Sequence, residues 1–308
     1  TTSSWPGFRG LKRDGIVSSI RINTDWSSSP PEELWRKSVG PGWSSFAVQG
    51  DVFFTQEQRG DDELVACYSV ENGNMIWKHA DKARFFESNA GAGPRGTPIV
   101  HDGSVYALGA TGILNALEAG SGAVLWSSNV GTDSDTETPI WGFSSSPQIV
   151  DDLVVVAASG SLIAYDQISG DKRWVITGGT GGYSSPHLMT FAGVDQIVLL
   201  KETGAIGVNP SDGRLLWEHA WPGNPIVQPA QMANGDILIA ANERSGVRRL
   251  NITQGSDGWQ VEELWTSKKL KPYFNDFVIH KGFAYGISGR MLVCIDVSNG
   301  EFKWNGKN

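Results

Sequence analysis

One pattern recurs through this chain of 308 residues: a polar residue, glycine four positions on, and tryptophan four positions after that. It occurs at Ser69, Gly73 and Trp77; at Glu118, Gly122 and Trp126; at Asp166, Gly170 and Trp174; at Asn209, Gly213 and Trp217; and at Asp296, Gly300 and Trp304. A sixth copy with a stretched hairpin runs from Leu250 through Gly255 and Gly258 to Trp265. Trp35, within Glu33-Leu34-Trp35-Arg36-Lys37, reads as the end of a seventh copy with nothing before it. Successive tryptophans lie 42, 49, 48, 43, 48 and 39 residues apart. That period is the length of a propeller blade of four short strands, which must stack on neighbours to bury a face it cannot bury alone.

Each element of the pattern has a physical reason. An apolar strand precedes it, as in Leu162-Ile163-Ala164-Tyr165 or Leu292-Val293-Cys294-Ile295. The polar residue accepts hydrogen bonds from the turn amides. Glycine supplies the positive φ of a bulged hairpin. The chain then returns as a strand carrying Trp, whose flat ring packs across the gap between blades.

The first half of each unit repeats too. A small-polar pair and then Pro or Phe opens it: Ser44-Ser45-Phe46, Gly96-Thr97-Pro98, Ser145-Ser146-Pro147, Ser184-Ser185-Pro186, Val227-Gln228-Pro229 and Asn275-Asp276-Phe277. A short strand, a Gly/Asp turn and a β-rich strand follow, which gives four strands per unit and no helix of consequence. The expected fold is an all-β propeller of four-stranded antiparallel blades. Six complete blades fall at about 42–82, 93–130, 141–178, 182–220, 225–268 and 273–306, within a propeller region 33–308 that follows an N-terminal strap, 1–32. The segment Glu33–Val39 is expected as an orphan strand without partners in the chain.

Composition narrows the function. The formal charge is −8 and no Lys/Arg cluster forms a basic patch, which argues against nucleic acid. No run of about 18 apolar residues exists to span a membrane as a helix. The polar start Thr1-Thr2-Ser3-Ser4 carries no signal peptide and no initiator Met, so the chain reads as a mature form. Cys67 and Cys294 belong to no CxxC, CxxCH or adjacent-Cys motif, and read as small buried hydrophobes.

The repeated Gly-x3-Trp ends, from Trp5 to Trp304, resemble the PQQ-binding-like β-propeller repeat family. That family groups quinone-dependent alcohol dehydrogenases with non-catalytic relatives of the BamB type. Trp5-Pro6-Gly7-Phe8-Arg9-Gly10, Gly42-Trp43-Ser44-Ser45-Phe46, Thr55-Gln56-Glu57-Gln58-Arg59-Gly60 and Gly93-Pro94-Arg95-Gly96-Thr97-Pro98 resemble an exported bacterial subgroup of unassigned function. The resemblance implies a periplasmic or secreted protein and a ring of eight blades, with roughly two further blades beyond Asn308 or a neighbouring chain in their place. In the enzymes of the family a quinone and Ca²⁺ sit in the central funnel, often beside a vicinal disulfide. That disulfide is excluded here, and no acidic residues match the Ca²⁺ or base positions one by one. PQQ with Ca²⁺ is therefore carried only as the alternative to a chain without cofactor.

If the first strand of each blade lines the channel, Trp43, Arg95, Ser144, Tyr183, Gln228 and Asn275 form a ring at one mouth, with Trp141 close by. Two aromatics, an Arg and amides there suit a planar or anionic ligand. The competing reading is that such side chains satisfy blade-edge backbone groups. Glu57 and Arg59 form a polar knot on the rim, or an ion-paired hairpin loop. Trp77, Trp126, Trp174, Trp217, Trp265 and Trp304 are expected to dock blades structurally. Asp133-x-Asp135-x-Glu137 reads as an acidic solvated loop rather than a Ca²⁺ loop. Gly178-Gly179-Thr180-Gly181-Gly182 precedes a strand and is no phosphate loop. His79, Arg84 and Glu87 have no acid–base partner at known distance.

These readings favour a non-catalytic binding or scaffold propeller that holds a protein partner or small polar ligand. The alternatives are a quinone- or sugar-related oxidoreductase working in the funnel and a structural subunit of a larger complex. Cys67 and Cys294 occupy equivalent places in blades 1 and 6, which adjoin only in a closed six-blade ring. A disulfide needs Cα atoms within about 7 Å, so two free thiols are expected. Intact mass should not change on reduction; a non-reducing mass about two daltons low would contradict this and indicate a six-blade ring.

Overall fold

The computed structural model describes residues 4–18, 20–179 and 181–307. Thr1–Ser3, Thr180 and Asn308, which belong to the polar start, the glycine run and the closing segment read above, lie outside the described residues, as does Ser19.

The strands group into six antiparallel blade sheets and a two-stranded ribbon that pairs Phe86–Glu87 with Gly91–Ala92. Blade 1 contains Ala47–Gln49, Val52–Arg59, Asp62–Ser69 and Met75–Asp81. Blade 2 contains Ile99–His101, Ser104–Leu108, Ile113–Glu118 and Val124–Asn129; blade 3, Gln148–Val150, Leu153–Ala158, Ser161–Asp166 and Lys172–Ile176. Blade 4 contains His187–Phe191, Val194–Lys201, Gly204–Val208 and Leu215–Ala220; blade 5, Ala230–Gln231, Ile237–Ile239, Val247–Gly255 and Gly258–Ser267. Blade 6 contains Val278–His280, Phe283–Ser288, Met291–Asp296 and Phe302–Lys307. The helix described is one short turn, Val130–Ser134, capped by the Asn129 side chain. Apolar side chains from facing blades interlock between sheets, as Val154, Val156 and Ile163 of blade 3 do with Tyr106, Leu108 and Trp126 of blade 2.

The repeat tryptophans join the blades by one geometry. Four of the indoles, those of Trp77, Trp126, Trp174 and Trp265, lie flat on the hairpin glycine of the next blade. A Cβ on Gly122 would come within 2.5 Å of the Trp77 ring; the same build places Gly170 2.6 Å from Trp126, Gly213 2.7 Å from Trp174 and Gly300 2.8 Å from Trp265. The indole N–H donates to the carbonyl three residues before that glycine: Trp77 to Ala119 at 2.8 Å, Trp126 to Gln167 at 3.0 Å, Trp174 to Pro210 at 2.9 Å and Trp265 to Val297 at 3.2 Å. The glycine thus has two duties, a positive φ and a flat face. Opposite Trp77, Trp126, Trp174 and Trp304 stand the small residues Cys67, Ala116, Ala164 and Cys294, which explains both cysteines. Both are free and buried, and burial pushes the Cys67 thiol up to about 11.

Trp217 departs from the pattern because blade 5 has the stretched hairpin and no glycine at the socket position. Its indole instead folds over Gly207 of its own blade and donates to Gln196 Oε1 at 2.6 Å. It remains buried, like Trp77, Trp126 and Trp174. Trp304 differs: it is 43% exposed, and its ring meets that of Tyr285 of its own blade at a tilt of 48°.

The opening polar pairs make a second, circumferential connection. Ser45 N–H donates to Thr97 Oγ1, Thr97 N–H to Ser146 Oγ, Ser146 N–H to Ser185 Oγ, Ser185 N–H to Gln228 Oε1 and Gln228 N–H to Asp276 Oδ1, all at 2.7–3.0 Å. Every step passes from one blade to the next. The side chain before each Pro or Phe is polar because it satisfies an inner-strand amide of its neighbour.

Two features differ from expectation. Glu33–Val39 forms no strand. Trp35 nevertheless fills the tryptophan socket of blade 1: its N–H donates to Val70 O at 2.9 Å, and a Cβ on Gly73 would meet its ring at 2.7 Å. One indole, stacked on Phe53, reproduces the contact without a blade behind it. The other is the strap. Ser4–Trp5 adds to blade 1 as a fifth, innermost strand. Pro6 O then accepts Val100 N–H of blade 2. Arg13 donates to Ser146 O and Pro147 O of blade 3 and Pro186 O of blade 4. Arg9 donates to Phe277 O and faces Asp276 of blade 6 at 3.1 Å. A segment that touches the inner ends of all these blades lies on the propeller axis. Burial pushes the Arg13 guanidinium down to about 9, which leaves it charged at neutral pH.

Two outcomes are expected. Trp126→Ala should cost about 3–5 kcal/mol in chemical denaturation, and Trp304→Ala about 1 kcal/mol or less; equal costs would mean the sockets do not hold the blades. The second concerns His187, buried beside the strap, where burial and then the charges of Arg13 and Arg9 hold its imidazole well below the usual range. The unfolded chain takes up that proton below about pH 6.5 and the folded chain does not. Stability should therefore fall as pH drops below this value, by up to about 1.4 kcal/mol per unit. His187→Asn should flatten that slope; an unchanged slope would place the acid sensitivity elsewhere.

Candidate functional site

The segments that lead into the inner strands bring several predicted residues to one mouth. The Arg95 side chain is nearly buried and paired with Glu87 at 3.4 Å. Its guanidinium also donates to Gly91 O at 2.9 Å and Trp141 O at 3.2 Å, and it lies over the Phe85 ring. Burial lowers its pKa, with Glu87 and Glu63 opposing. Glu87 is held by the turn it begins, accepting N–H bonds from Asn89 and Ala90. Trp43 is anchored to the same turn by its indole, which donates to Ala90 O at 2.9 Å, and by its backbone N–H, which donates to Pro94 O.

The Trp141 and Tyr183 rings lie 4.9 Å apart, and Trp141 also meets Phe274 of blade 6 at 6.4 Å. Phe274 packs on Tyr273 at 4.2 Å. Trp43 is 65% exposed and Phe274 67%, and Phe86 and Ile140 are exposed beside them. Aromatic rings therefore span the mouth from blade 3 to blade 6 around a neutralised Arg–Glu pair. Sequence reasoning missed Tyr273 and Phe274, because no motif marks them; their signal was a position just before the polar pair of blade 6.

Other predicted residues sit elsewhere. Gln228 is buried in the circumferential chain, its oxygen taken by Ser184, Ser185 and His187. Ser144 bonds Tyr183 O across the blade gap. Asn275 is exposed. Glu57 and Arg59 do not join the mouth. Glu57 is fully buried on the face of blade 1 turned away from blade 2, where it accepts from Tyr68 Oη, Gly40 N–H and Arg59. Asp133 accepts Tyr165 Oη, and Lys172 lies 3.9 Å from it.

The crevice between blades 3 and 4, lined by Phe143, Ser144, Gly182 and Tyr183, has a cavity volume of about 10 Å³, room for about one water. Among the described residues, no three His, Cys, Asp or Glu side chains converge as metal ligands. A planar quinone on the axis would have to displace Arg13 from three carbonyls, so the residues there do not fit that cofactor. No described helix is long and apolar enough to cross a membrane.

Comparison with known proteins agrees with this architecture. BamB from Shewanella oneidensis is 31% identical over 260 residues, covering 74% of this chain and 60% of that protein. BamB from Yersinia pestis is 27% identical over 156 residues, covering 47% of this chain and 36% of that protein. The chain thus matches less than two thirds of the length of either relative. Among solved structures, BamB from Moraxella catarrhalis superposes with a TM-score of 0.53 at 18% identity, over 83% of this chain and 82% of that one. The quinohemoprotein alcohol dehydrogenase from Comamonas testosteroni gives 0.56 at 11% identity, over 99% of this chain and 73% of that one. At these identities the two structures share the propeller fold with this chain and nothing finer. The family described as outer membrane protein assembly factor BamB matches residues 27–177 and 61–306. Carrying that match along nearly its whole length, the chain belongs to this BamB family of PQQ-like propellers.

Proposed function

We propose that this protein is a non-catalytic binding propeller of the bacterial cell envelope, facing the periplasm or exterior, which docks a protein partner on its aromatic mouth. The carrying observation is the span of Trp43, Trp141, Tyr183 and Phe274, exposed in part and set around the buried Arg95–Glu87 pair. Rigid aromatic anchors beside an Arg are the composition of interface hot spots. The filled axis supports the same reading, since it leaves the outer rim rather than the funnel to do the binding. The family match supports a partner in envelope assembly, as the names of the relatives describe for those proteins.

The reading includes completion of the ring. Trp304 has no glycine socket against it among the described residues, while the socket of blade 1 is already filled by Trp35. Further blades of the same repeat, or a neighbouring chain presenting one, would cover Trp304 and extend the polar chain that reaches Asp276.

Trp43→Ser combined with Phe274→Ser should weaken partner binding about thirtyfold or more, as loss of a hot spot does, with the melting temperature unchanged. Undiminished binding would remove the mouth as the docking site. Dye-linked dehydrogenase activity on addition of PQQ and Ca²⁺ would instead end the non-catalytic reading.

A further inference from the structure

Blades 1 and 2 face one another across Phe54, Val65, Cys67 and Trp77 on one side and Val100, Val105, Ala107 and Leu117 on the other. The same sheet face turns polar farther along the strands. In blade 1, Gln58 stands opposite Glu63, and Glu63 opposite Asp81. From blade 2, Asn115 Nδ2 donates to Asp81 Oδ2 at 2.7 Å, and Ala110 N–H donates to Glu63 Oε1 at 3.1 Å. Gln58 is 2% exposed, Glu63 4% and Asn115 2%.

Five buried side-chain nitrogen or oxygen atoms among the described residues lack a hydrogen-bond partner. Two of them belong to this cleft, and both are amide oxygens: Gln58 Oε1 and Asn115 Oδ1. The amide orientations are fixed by their nitrogens. Gln58 Nε2 donates to Gly60 O and Ala83 O, and Asn115 Nδ2 to the Asp81 carboxylate, so neither oxygen can be exchanged for its nitrogen without losing those bonds. Burying an acceptor without a donor costs about 1–3 kcal/mol. A cleft that does so twice, beside two carboxylates, offers four side chains whose oxygens suit a bound cation.

We propose that the cleft between blades 1 and 2 binds a hard, oxygen-preferring cation of the calcium type, held by Glu63, Asp81, Gln58 and Asn115. Two carboxylates with neutral amide oxygens are a hard-cation donor set, and soft or imidazole-preferring metals have no claim on it. The site is distinct from the axis, and it would lock the first two blades together directly behind the mouth. The charged neighbours are His79, whose Nε2 lies 3.2 Å from Asp81 Oδ1, and Arg95, which is engaged by Glu87. Burial, reinforced by the charge of Asp81 and opposed by the Ala110 amide and Arg95, pushes the Glu63 carboxyl up to about 7.

The test uses the 308-residue protein stripped with EDTA, desalted at pH 8 and titrated with Tb³⁺, then with Ca²⁺. Tb³⁺ luminescence under tryptophan excitation should saturate at one ion per chain, Ca²⁺ should displace it, and Ca²⁺ should raise the melting temperature. Asp81→Asn and Glu63→Gln should each weaken the ion at least about tenfold, while Asp212→Asn on the exposed hairpin of blade 4 should leave it unchanged. Absence of saturable Tb³⁺ binding to the wild-type chain would overturn the proposal, as would equal affinity in Asp81→Asn. A Glu63→Gln protein that melts above wild type while Ca²⁺ shifts neither would show that the cleft holds a proton instead.

Discussion

The flat contact between a tryptophan and the glycine of the next blade is the constraint on which this propeller depends. A four-stranded sheet leaves one face bare, and here the face is closed by an indole that needs a neighbour without a Cβ. The glycine is also the residue that lets the hairpin turn, with φ near +70° at Gly73, Gly122, Gly170 and Gly213. One residue type at one position therefore serves local chain reversal and long-range packing together. Where the hairpin changes length, as in blade 5, the contact is lost and Trp217 finds Gly207 and Gln196 instead. Where the preceding blade is absent, a lone Trp35 still occupies the socket, which shows how little of a blade the contact requires.

Repetition made the fold legible. Copies of one motif at blade spacing placed the six blade sheets, and the equivalence of Ser45, Thr97, Ser146, Ser185, Gln228 and Asp276 was visible as a column of polar residues before Pro or Phe. The hydrogen bonds that link that column from blade to blade were not visible, because a side chain and an amide meet only once the sheets are stacked. Features that occur once were harder. Glu33–Val39 looks like a strand because it carries the repeat tryptophan, Trp35, yet it has no sheet to join. The strap shows no pattern at all, and only the converging carbonyls of Ser146, Pro147 and Pro186 explain why Arg13 is buried. Of the predicted rim residues, Arg95, Trp43, Trp141 and Tyr183 come together, whereas Glu57 lies on another face and Gln228 is consumed by structure.

The strap and the sockets bear on function together. The sockets fix the radial positions of the blades, and the strap then fills the space on the axis that a wider channel would leave for a ligand. What remains accessible is the rim, where aromatic rings are held at the mouth by inter-blade contacts rather than by flexible loops alone. The cleft behind that rim is polar at the one place where the interface between blades 1 and 2 ceases to be apolar. A protein built this way is tied together at the centre and presents its exposed aromatic side chains at the edge.

The central claim is best tested by a double-mutant cycle on one socket, with Trp126→Ala and Gly170→Ala made singly and together and unfolding free energies measured for all forms. In the wild-type background the new Cβ at Gly170 meets the Trp126 ring at 2.6 Å, and it also bears the strain of a positive φ. Without the indole only the strain remains, about 1–2 kcal/mol. The account predicts that Gly170→Ala costs clearly less when Trp126 is already Ala, with a coupling of at least about 1 kcal/mol. Costs that simply add would contradict it, and would mean that the glycine serves the turn and the tryptophan the core without either depending on the other.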